Sequence, residues 1–405
     1  MLSKLLSPKT QKDLNLKTLF YYIANESGLT RMELAERMGL SPSTCMRFID
    51  ELKKNDLIYE CGEAESSGGR RAKRYAVSPT SSYLIGVDIS RTSVRILLLQ
   101  LDLEPVDATS FRMTEGNTPD VTITKIADEI KQILAKHNID MDLLLGVGIS
   151  SIGPLDTNKG MIKNPKYFPA KGWKEVPIVE QLQQLISVPT ILCYGEQTAL
   201  YAEHRFGAAL NSQNAVHINK GIGIRLGLLL NGKIVRPNKP VGAFGQGHMT
   251  VDIDGRRCDC GNYGCMNAYS TIPAILKEVR KHLKKGAEST LHSKISDVTE
   301  LRYSHLVEAY NEGDILVADV LKDTALYSGA GLANLVTIFQ PDIVILSGPI
   351  YQDFDIFFTT SVKQAKKRYE RYFPSLETQF CKGDLGDQAR AIGSGGLMFE
   401  TMFTN

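Results

Sequence analysis

Three of the chain's seven cysteines lie close together, at Cys258, Cys260 and Cys265, and His248 precedes them. One imidazole and three thiolates make up the four-ligand set of a structural zinc ion, whereas a catalytic zinc keeps one position open for water. Glycines among the cysteines allow the tight turns that such a short loop needs to close around an ion. The sequence therefore predicts a structural zinc held by His248, Cys258, Cys260 and Cys265.

The composition indicates a protein of the reducing cytoplasm. An odd number of cysteines spread thinly over 405 residues does not suggest a disulfide framework. The first residues lack an apolar run typical of a signal peptide, and no later stretch is apolar enough to span a bilayer. We therefore expect a cytoplasmic location and no membrane partner. Because the net charge is only +2, a surface that binds nucleic acid would have to be a basic patch on one part of the protein.

Residues 1–77 are predicted to form a separate DNA-binding domain. Gly39 lies between two short helical patterns, and Ser41 with Pro42 provides the cap and first position of the second helix. Helix, glycine-containing turn and capped helix form the helix-turn-helix pattern, whose second helix reads the major groove. The polar residues expected to face base edges and phosphates are Ser43, Thr44 and Arg47.

The following residues predict a β-hairpin wing, with strands at 57–61 and 74–77. Glycine lets a backbone approach a groove closely, and arginines can enter a minor groove or bind phosphates. A basic run of this kind is otherwise a solvated loop or a flexible linker. Because it follows a helix-turn-helix directly, we expect it to contact double-stranded operator DNA. The wing residues concerned are Gly69, Arg70, Arg71 and Lys73.

A linker at residues 78–83 leads to a second, larger region in which strand and helix patterns alternate. This alternation predicts an α/β class with mixed sheets. Within it, Asn231 and Gly232 separate two apolar runs and predict a tight hairpin turn.

With these motifs the chain resembles the ROK family, named for repressors, open reading frames and kinases. The specific marks are "GHMTVDIDGRRCDCGNYGC", "GISSIGPLD" and "SGGRR". The resemblance implies an actin-like, ribonuclease H-like body of two lobes behind the winged helix-turn-helix, and homodimers or homotetramers. The lobes would be residues 84–194, completed by 386–405, and residues 195–385, with the zinc loop at 248–265. Family members with the N-terminal extension are repressors of carbohydrate genes, and members without it are sugar kinases.

The resemblance also allows a position-by-position test for kinase chemistry. Phosphate loops need glycines, yet the first loop reads Asp-Ile-Ser-Arg-Thr at 88–92, and Asn219 and Lys220 open the second. Gly195 stands where the family's catalytic aspartate would accept a proton. We therefore expect a repressor that is not an enzyme. The alternatives are an active sugar kinase with an added DNA reader and an effector-independent DNA-binding scaffold.

The effector pocket implied by the resemblance is altered as well. Two sugar-binding glutamates of the family correspond to Gly245 and Asn267, while His248 persists. The remaining candidates for effector contact are Lys166, Tyr194, His248 and Asn267. The effector could be a carbohydrate or a sugar phosphate, for which Lys163 and Lys166 would supply charge; it could also be a protein, or be absent.

Overall fold

The computed structural model describes residues 5–64, 71–236 and 245–404. The chain divides into two compact units. Unit 1 contains residues 1–195 and 390–405, and unit 2 contains residues 196–389. In the described part of the chain, no helix has both the length and the apolarity needed to cross a bilayer.

The N-terminal part of unit 1 combines α-helices with a small sheet. Its helices are α1 (Gln11–Asn25), α2 (Arg31–Met38) and α3 (Pro42–Lys54). Its strands are β1 (Leu29–Thr30), β2 (Ile58–Glu63) and β3 (Lys73–Val77), in the order β1-β3-β2. The wing strands extend further towards the tip than predicted, because pairing continues past a bulge between Glu60 and Gly62 as far as Glu63 and Lys73.

The rest of unit 1 is a mixed five-stranded sheet in the order β10-β7-β4-β5-β6. Strands β4, β7 and β10 are parallel, whereas β4, β5 and β6 form an antiparallel meander. The elements are β4 (Tyr83–Ile89), β5 (Ser93–Gln100), β6 (Pro105–Arg112), α4 (Pro119–Lys136), β7 (Leu144–Ser151), β8 (Leu155–Asp156), β9 (Met161–Ile162), α5 (Ile178–Ile186) and β10 (Thr190–Tyr194). The last helix of the chain, α12 (Ala389–Thr404), returns to pack on this sheet.

Two glycines bring α12 into direct backbone contact with the sheet. A Cβ atom at Gly86 would lie 1.9 Å from the carbonyl oxygen of Ala391, and one at Gly148 would lie 1.8 Å from that of Ser394. Real Cβ atoms do not approach so closely, so the helix and the sheet require glycine at both positions. At these two positions the helix backbone therefore meets the backbone of strands β4 and β7 directly.

Unit 2 contains a second mixed sheet, in the order β13-β12-β11-β14-β15. Its strands are β11 (Ala215–Lys220), β12 (Ile224–Leu230), β13 (Lys233–Ile234), β14 (Ile343–Ser347) and β15 (Gln379–Cys381). Its helices are α6 (Gly195–Phe206), α7 (Ile272–Lys284), α8 (Tyr303–Asn311), α9 (Ile315–Phe339), α10 (Pro349–Asp353) and α11 (Asp355–Tyr369). Asn231 and Gly232 both have positive φ and turn β12 into β13, as predicted. The α/β class with mixed sheets is thus confirmed in both units.

Candidate functional sites

Local capping explains why α2 and α3 form a helix-turn-helix. Thr30 caps α2 in a capping box with Glu33, and Gly39 ends the helix at φ 61°. Ser41 accepts a hydrogen bond of 3.2 Å from the Thr44 N–H, and Pro42 occupies the first helical position of α3. The buried face of α3 consists of Cys45, Phe48, Ile49 and Leu52.

The predicted base-reading residues lie together on the exposed face of α3. Ser43 and Arg47 are exposed and Thr44 is half-buried. An Arg47 Nη2 hydrogen donates to Thr44 Oγ1 at 3.4 Å, and the Ser41 and Ser43 hydroxyls lie 3.1 Å apart. The start of α3 therefore presents hydroxyls and one guanidinium, which are groups that bind phosphates and base edges.

The wing carries one predicted contact that is exposed and one that is already ion-paired. Arg71 is exposed, and Lys73 Nζ lies 2.6 Å from Glu60 Oε2. Glu60 also accepts from Lys53 at the end of α3, and these hydrogen bonds from Lys53 and Lys73 lower the pKa of its carboxyl. Glu60 thus ties both wing strands to α3, while Gly69 and Arg70 lie outside the described residues.

The four predicted metal ligands converge in unit 2. One ligand atom from each of His248, Cys258, Cys260 and Cys265 lies within 4.8 Å of the others. Cys258 Sγ is 3.6 Å from His248 Nδ1, and Cys260 Sγ is 3.7 Å from Cys265 Sγ. A tetrahedral zinc with its usual bond lengths has sulfur–sulfur edges of about 3.8 Å and sulfur–nitrogen edges of about 3.6 Å. The donor set and its spacing therefore fit zinc.

Backbone hydrogen bonds between residues of the same loop fix the backbone around these ligands. The Cys258 N–H donates to the Asn262 carbonyl at 2.8 Å, and the Val251 N–H donates to the Gly264 carbonyl at 2.9 Å. Gly264 has φ 67°, and a Cβ atom there would lie 1.5 Å from the Asp252 carbonyl oxygen. Only glycine fits this turn, and the turn brings the Cys265 sulfur within 4.8 Å of the other three ligand atoms. Burial raises the pKa of the Cys265 thiol to about 12, so a bound cation is needed to hold it as thiolate at neutral pH.

The effector candidates fall into both units. In unit 1, Lys166 is exposed and its carbonyl accepts a hydrogen bond of 2.9 Å from Arg91 Nε. Tyr194 is 3% exposed, and its hydroxyl donates to the Leu155 carbonyl at 3.0 Å. The phenol of Tyr194 therefore fixes the turn after β7, while the ammonium group of Lys166 faces solvent.

In unit 2, Asn267 offers a polar atom that the described residues leave without a hydrogen bond. Its side-chain oxygen is buried and has no partner among them. It lies beside Gly247, where a Cβ atom would come within 2.6 Å of it, and Gly247 adjoins the exposed His248. Buried polar atoms are nearly always satisfied, so an unpaired acceptor here is suited to a ligand donor such as a hydroxyl.

At the edge of the unit 1 sheet an arginine side chain lies over Gly195 and beside the carboxylate of Asp88. The Arg390 side chain passes over Gly195, 3.2 Å from the position of a Cβ atom, and its Nη1 lies 3.7 Å from Asp88 Oδ2. Asp88 also accepts a hydrogen bond from the Ser150 hydroxyl. Sequence analysis did not identify Arg390, because it lies in no motif and approaches Asp88 only through folding.

Comparison with known proteins agrees with this organisation. The profile of the ROK family matches residues 84–400, and that of a winged helix-turn-helix DNA-binding domain matches residues 13–59. A Bacillus subtilis protein named xylose repressor is 26% identical over 392 residues, which are 96% of each chain. The Escherichia coli K12 DNA-binding transcriptional dual regulator NagC is 24% identical over 396 residues, covering 96% of this chain and 93% of NagC.

Two solved structures have the same fold. A ROK family transcriptional regulator, described as a homologue of the E. coli MLC protein, superposes with a TM-score of 0.78 at 21% identity. That superposition covers 97% of this chain and 99% of the regulator. A ROK hexokinase from Thermus thermophilus superposes with a TM-score of 0.66 at 21% identity, covering 80% of this chain and 100% of the hexokinase.

Proposed function

Because this chain belongs to the ROK family and carries a winged helix-turn-helix, we propose that it is a sequence-specific, DNA-binding repressor of carbohydrate genes. The observation that carries the proposal is the exposed face at the start of α3, where Ser43, Thr44 and Arg47 lie together. The relatives named as repressors match nearly the whole chain, whereas the hexokinase match covers 80% of it. We propose that it acts in the cytoplasm on operator DNA, as a homodimer or homotetramer whose symmetry matches the paired half-sites that such regulators bind.

We do not assign kinase activity to this chain. Gly195 offers no group to accept the proton of a sugar hydroxyl, and Arg390 lies across it. Lys220 stands in the second phosphate loop, and its side chain is completely buried in unit 2. A phosphate loop uses glycines, whose backbone tolerates positive φ and can come close to a phosphate, and Ser90 and Arg91 lack this freedom.

The effector we propose is a carbohydrate or a sugar phosphate. His248 and Asn267 supply an exposed imidazole and an unpaired amide oxygen, which suit sugar hydroxyls. Lys163 and Lys166 suit a phosphate, although Lys163 also pairs with Glu175 at 3.3 Å. The relatives include proteins named xylose repressor and N-acetylglucosamine repressor. We would therefore test xylose, N-acetylglucosamine and their phosphates first. A ligand that binds only the folded protein raises its melting temperature.

We propose zinc as the metal of the His248, Cys258, Cys260 and Cys265 cluster. With four protein ligands, the ion would have no open position for water, so its part would be structural. It would fix the loop that presents His248 and would bring Asn267, two residues after Cys265, to the same place. All four proposed ligands lie outside residues 11–77, so the winged helix-turn-helix itself would need no zinc to bind DNA.

Replacing Arg47 by alanine is expected to weaken operator binding by about 1–3 kcal/mol and to relax the preference for one base pair, because a guanidinium on α3 is suited to a guanine edge. Replacing Arg70 and Arg71 should weaken binding evenly across sequences and reduce its salt dependence, because we propose that these residues bind phosphates. The measurement is a titration of the full chain with an operator selected from random DNA, at several salt concentrations.

Arg371→Ala serves as the matched control, since Arg371 is an exposed arginine of unit 2 outside the winged helix. It should bind the operator as the wild type does. If the Arg47 variant and the Arg70/Arg71 variant both keep wild-type affinity and salt dependence, α3 and the wing do not read DNA.

Metal analysis of the purified chain is expected to find one zinc per chain and less than that in Cys260→Ser. Loss of one thiolate leaves three ligands and opens the site to water, which lowers the affinity for the ion. Cys61→Ser removes an exposed cysteine outside the cluster and should keep the full equivalent. A Cys260→Ser variant that keeps a full equivalent, or a wild type without zinc after growth in zinc-replete medium, would contradict the assignment.

A further inference from the structure

The last helix of the chain, α12, begins at the Asp88 edge of the unit 1 sheet. Its second residue, Arg390, lies 3.7 Å from the Asp88 carboxylate, which also accepts from Ser150. Asp88 and Ser150 lie near the ends of the parallel strands β4 and β7, and Arg390 passes over Gly195, just after β10. A ligand or charge change at this edge therefore acts directly on the first turn of α12.

The middle of α12 is in direct contact with the sheet. At Gly86 and Gly148 the helix backbone meets the strand backbone, as described above, with no side chain between them. Flexible side chains absorb small displacements, but a backbone-to-backbone contact of this kind has few ways to do so. Movement of strands β4 and β7 is therefore passed to the helix.

The end of α12 holds the winged helix-turn-helix through an aromatic cluster. The ring of Phe20 on α1 lies 5.3 Å from that of Phe403 and 6.4 Å from that of Phe399. Tyr21 stacks on Phe399 with centroids 6.5 Å apart. Phe20 is fully buried, and Phe399 and Phe403 are almost so. Such pairs contribute more than their buried area alone, and they fix ring orientation.

Helix α1 is in turn tied to the DNA-reading helix. The two helices pack against each other, and Lys12 Nζ on α1 lies 2.7 Å from Glu51 Oε2 on α3. A displacement of α1 by the aromatic cluster would therefore reorient α3 and the residues that face DNA.

From these contacts we propose that α12 couples the Asp88 edge of the sheet to the winged helix-turn-helix, with Phe399 and Phe403 as positioning residues for DNA reading. The proposal rests on the proposed function, because it assumes that α3 binds an operator. In this proposal, a structural change at the Asp88 edge of the sheet alters DNA binding, and DNA binding alters the sheet edge. Helix α12 transmits both effects. Such coupling is reciprocal, so DNA binding must change the structure or the dynamics of the sheet edge.

Hydrogen exchange of the full chain, measured with and without the selected operator, tests the coupling. In the wild type, operator binding is expected to change amide exchange at residues 86–92 and 389–395 by about fivefold or more, the low end of measured couplings between sites. In Phe399→Ala/Phe403→Ala the operator should bind more weakly but still protect α3 at saturation, and the change at residues 86–92 should be lost. Phe403→Leu keeps an apolar contact and should retain it.

Two further variants separate coupling from general destabilisation. Phe111→Ala removes a largely buried aromatic ring of β6 that contacts Lys125, and it should leave the coupling intact. Tyr21→Ala weakens the aromatic cluster from the α1 side and should reduce the coupling even if the double variant does not fold. Operator binding without an exchange change at residues 86–92 in the wild type, or an undiminished change in Tyr21→Ala and the double variant, overturns the proposal. Absence of operator binding by the wild type overturns the proposed function instead.

Discussion

Gly148→Ala is expected to lower the free energy of unfolding of unit 1 by about 3 kcal/mol or more, which is at the upper end of overpacking costs. The added methyl group would lie 1.8 Å from the Ser394 carbonyl oxygen and 2.3 Å from its carbonyl carbon. The obstacle is backbone, which cannot change rotamer, so α12 must move away from β7. Urea or thermal unfolding of the full chain measures the loss.

Gly223→Ala is the matched control for this substitution. Gly223 lies in unit 2, has no atom within 4 Å of the position of a Cβ atom, and does not have a left-handed backbone. It should change stability by less than about 1 kcal/mol. Equal effects of the two substitutions would show that α12 does not depend on Gly148 for its place on the sheet.

The second large effect concerns Lys220, whose amino group is completely buried in unit 2. Its Nζ donates to the hydroxyls of Ser270 and Ser328, each at 2.8 Å, and lies over the rings of Tyr351 and Phe357 at 5.6 and 5.7 Å. Within the part of the chain that the structure describes, no carboxylate pairs with it. Burial therefore lowers the pKa of Lys220 well below its usual value of 10.5.

We expect the free energy of unfolding of Lys220→Met to increase, relative to that of the wild type, as the pH falls from 10 towards 7. Between the folded and unfolded pKa values the unfolded chain binds the extra proton, so wild-type stability rises with pH by up to about 1.4 kcal/mol per unit and is lost as the pH falls. Methionine has no proton to bind. Burial also raises the pKa of Tyr351, which keeps its hydroxyl neutral across this range. The measurement is urea unfolding of both chains at several pH values.

Ser328→Ala is the companion variant, since it removes one acceptor of the Lys220 amine without removing the titrating group. It should retain the wild-type dependence on pH. A difference between Lys220→Met and the wild type that stays constant from pH 7 to pH 10 would show that the amine is charged in the folded protein.

Features encoded by short sequence spans could be predicted. The helix-turn-helix depends on local caps at Thr30 and Ser41 and on a left-handed Gly39, all of which neighbouring residues specify. The metal cluster depends on ligands within one loop, closed by the turn at Gly264. In each case the determining contacts join residues that are near in sequence, so residue type and spacing were sufficient.

Contacts between distant segments could not be predicted. Arg390 reaches Asp88 across some three hundred residues (390 − 88 = 302), and no motif marks either residue for the other. Lys220 was expected in a degraded phosphate loop, but its burial depends on α9 and α10 closing over it. The ion pair between Lys73 and Glu60 likewise follows from the register of the wing strands, which the sequence pattern did not resolve.

The aromatic cluster between α1 and α12 also determines when the N-terminal region can mature during synthesis. Phe20 leaves the ribosome about 380 residues ahead of Phe403 (403 − 20 = 383). At ~5–20 residues per second this interval lasts roughly 20–75 s. Throughout that time the apolar face of α1 lacks its final partner and is open to chaperones, proteases and other nascent chains. The DNA-reading segment is thus made well before the helix that completes its packing, and a chain interrupted between the two exposes the apolar face of α1.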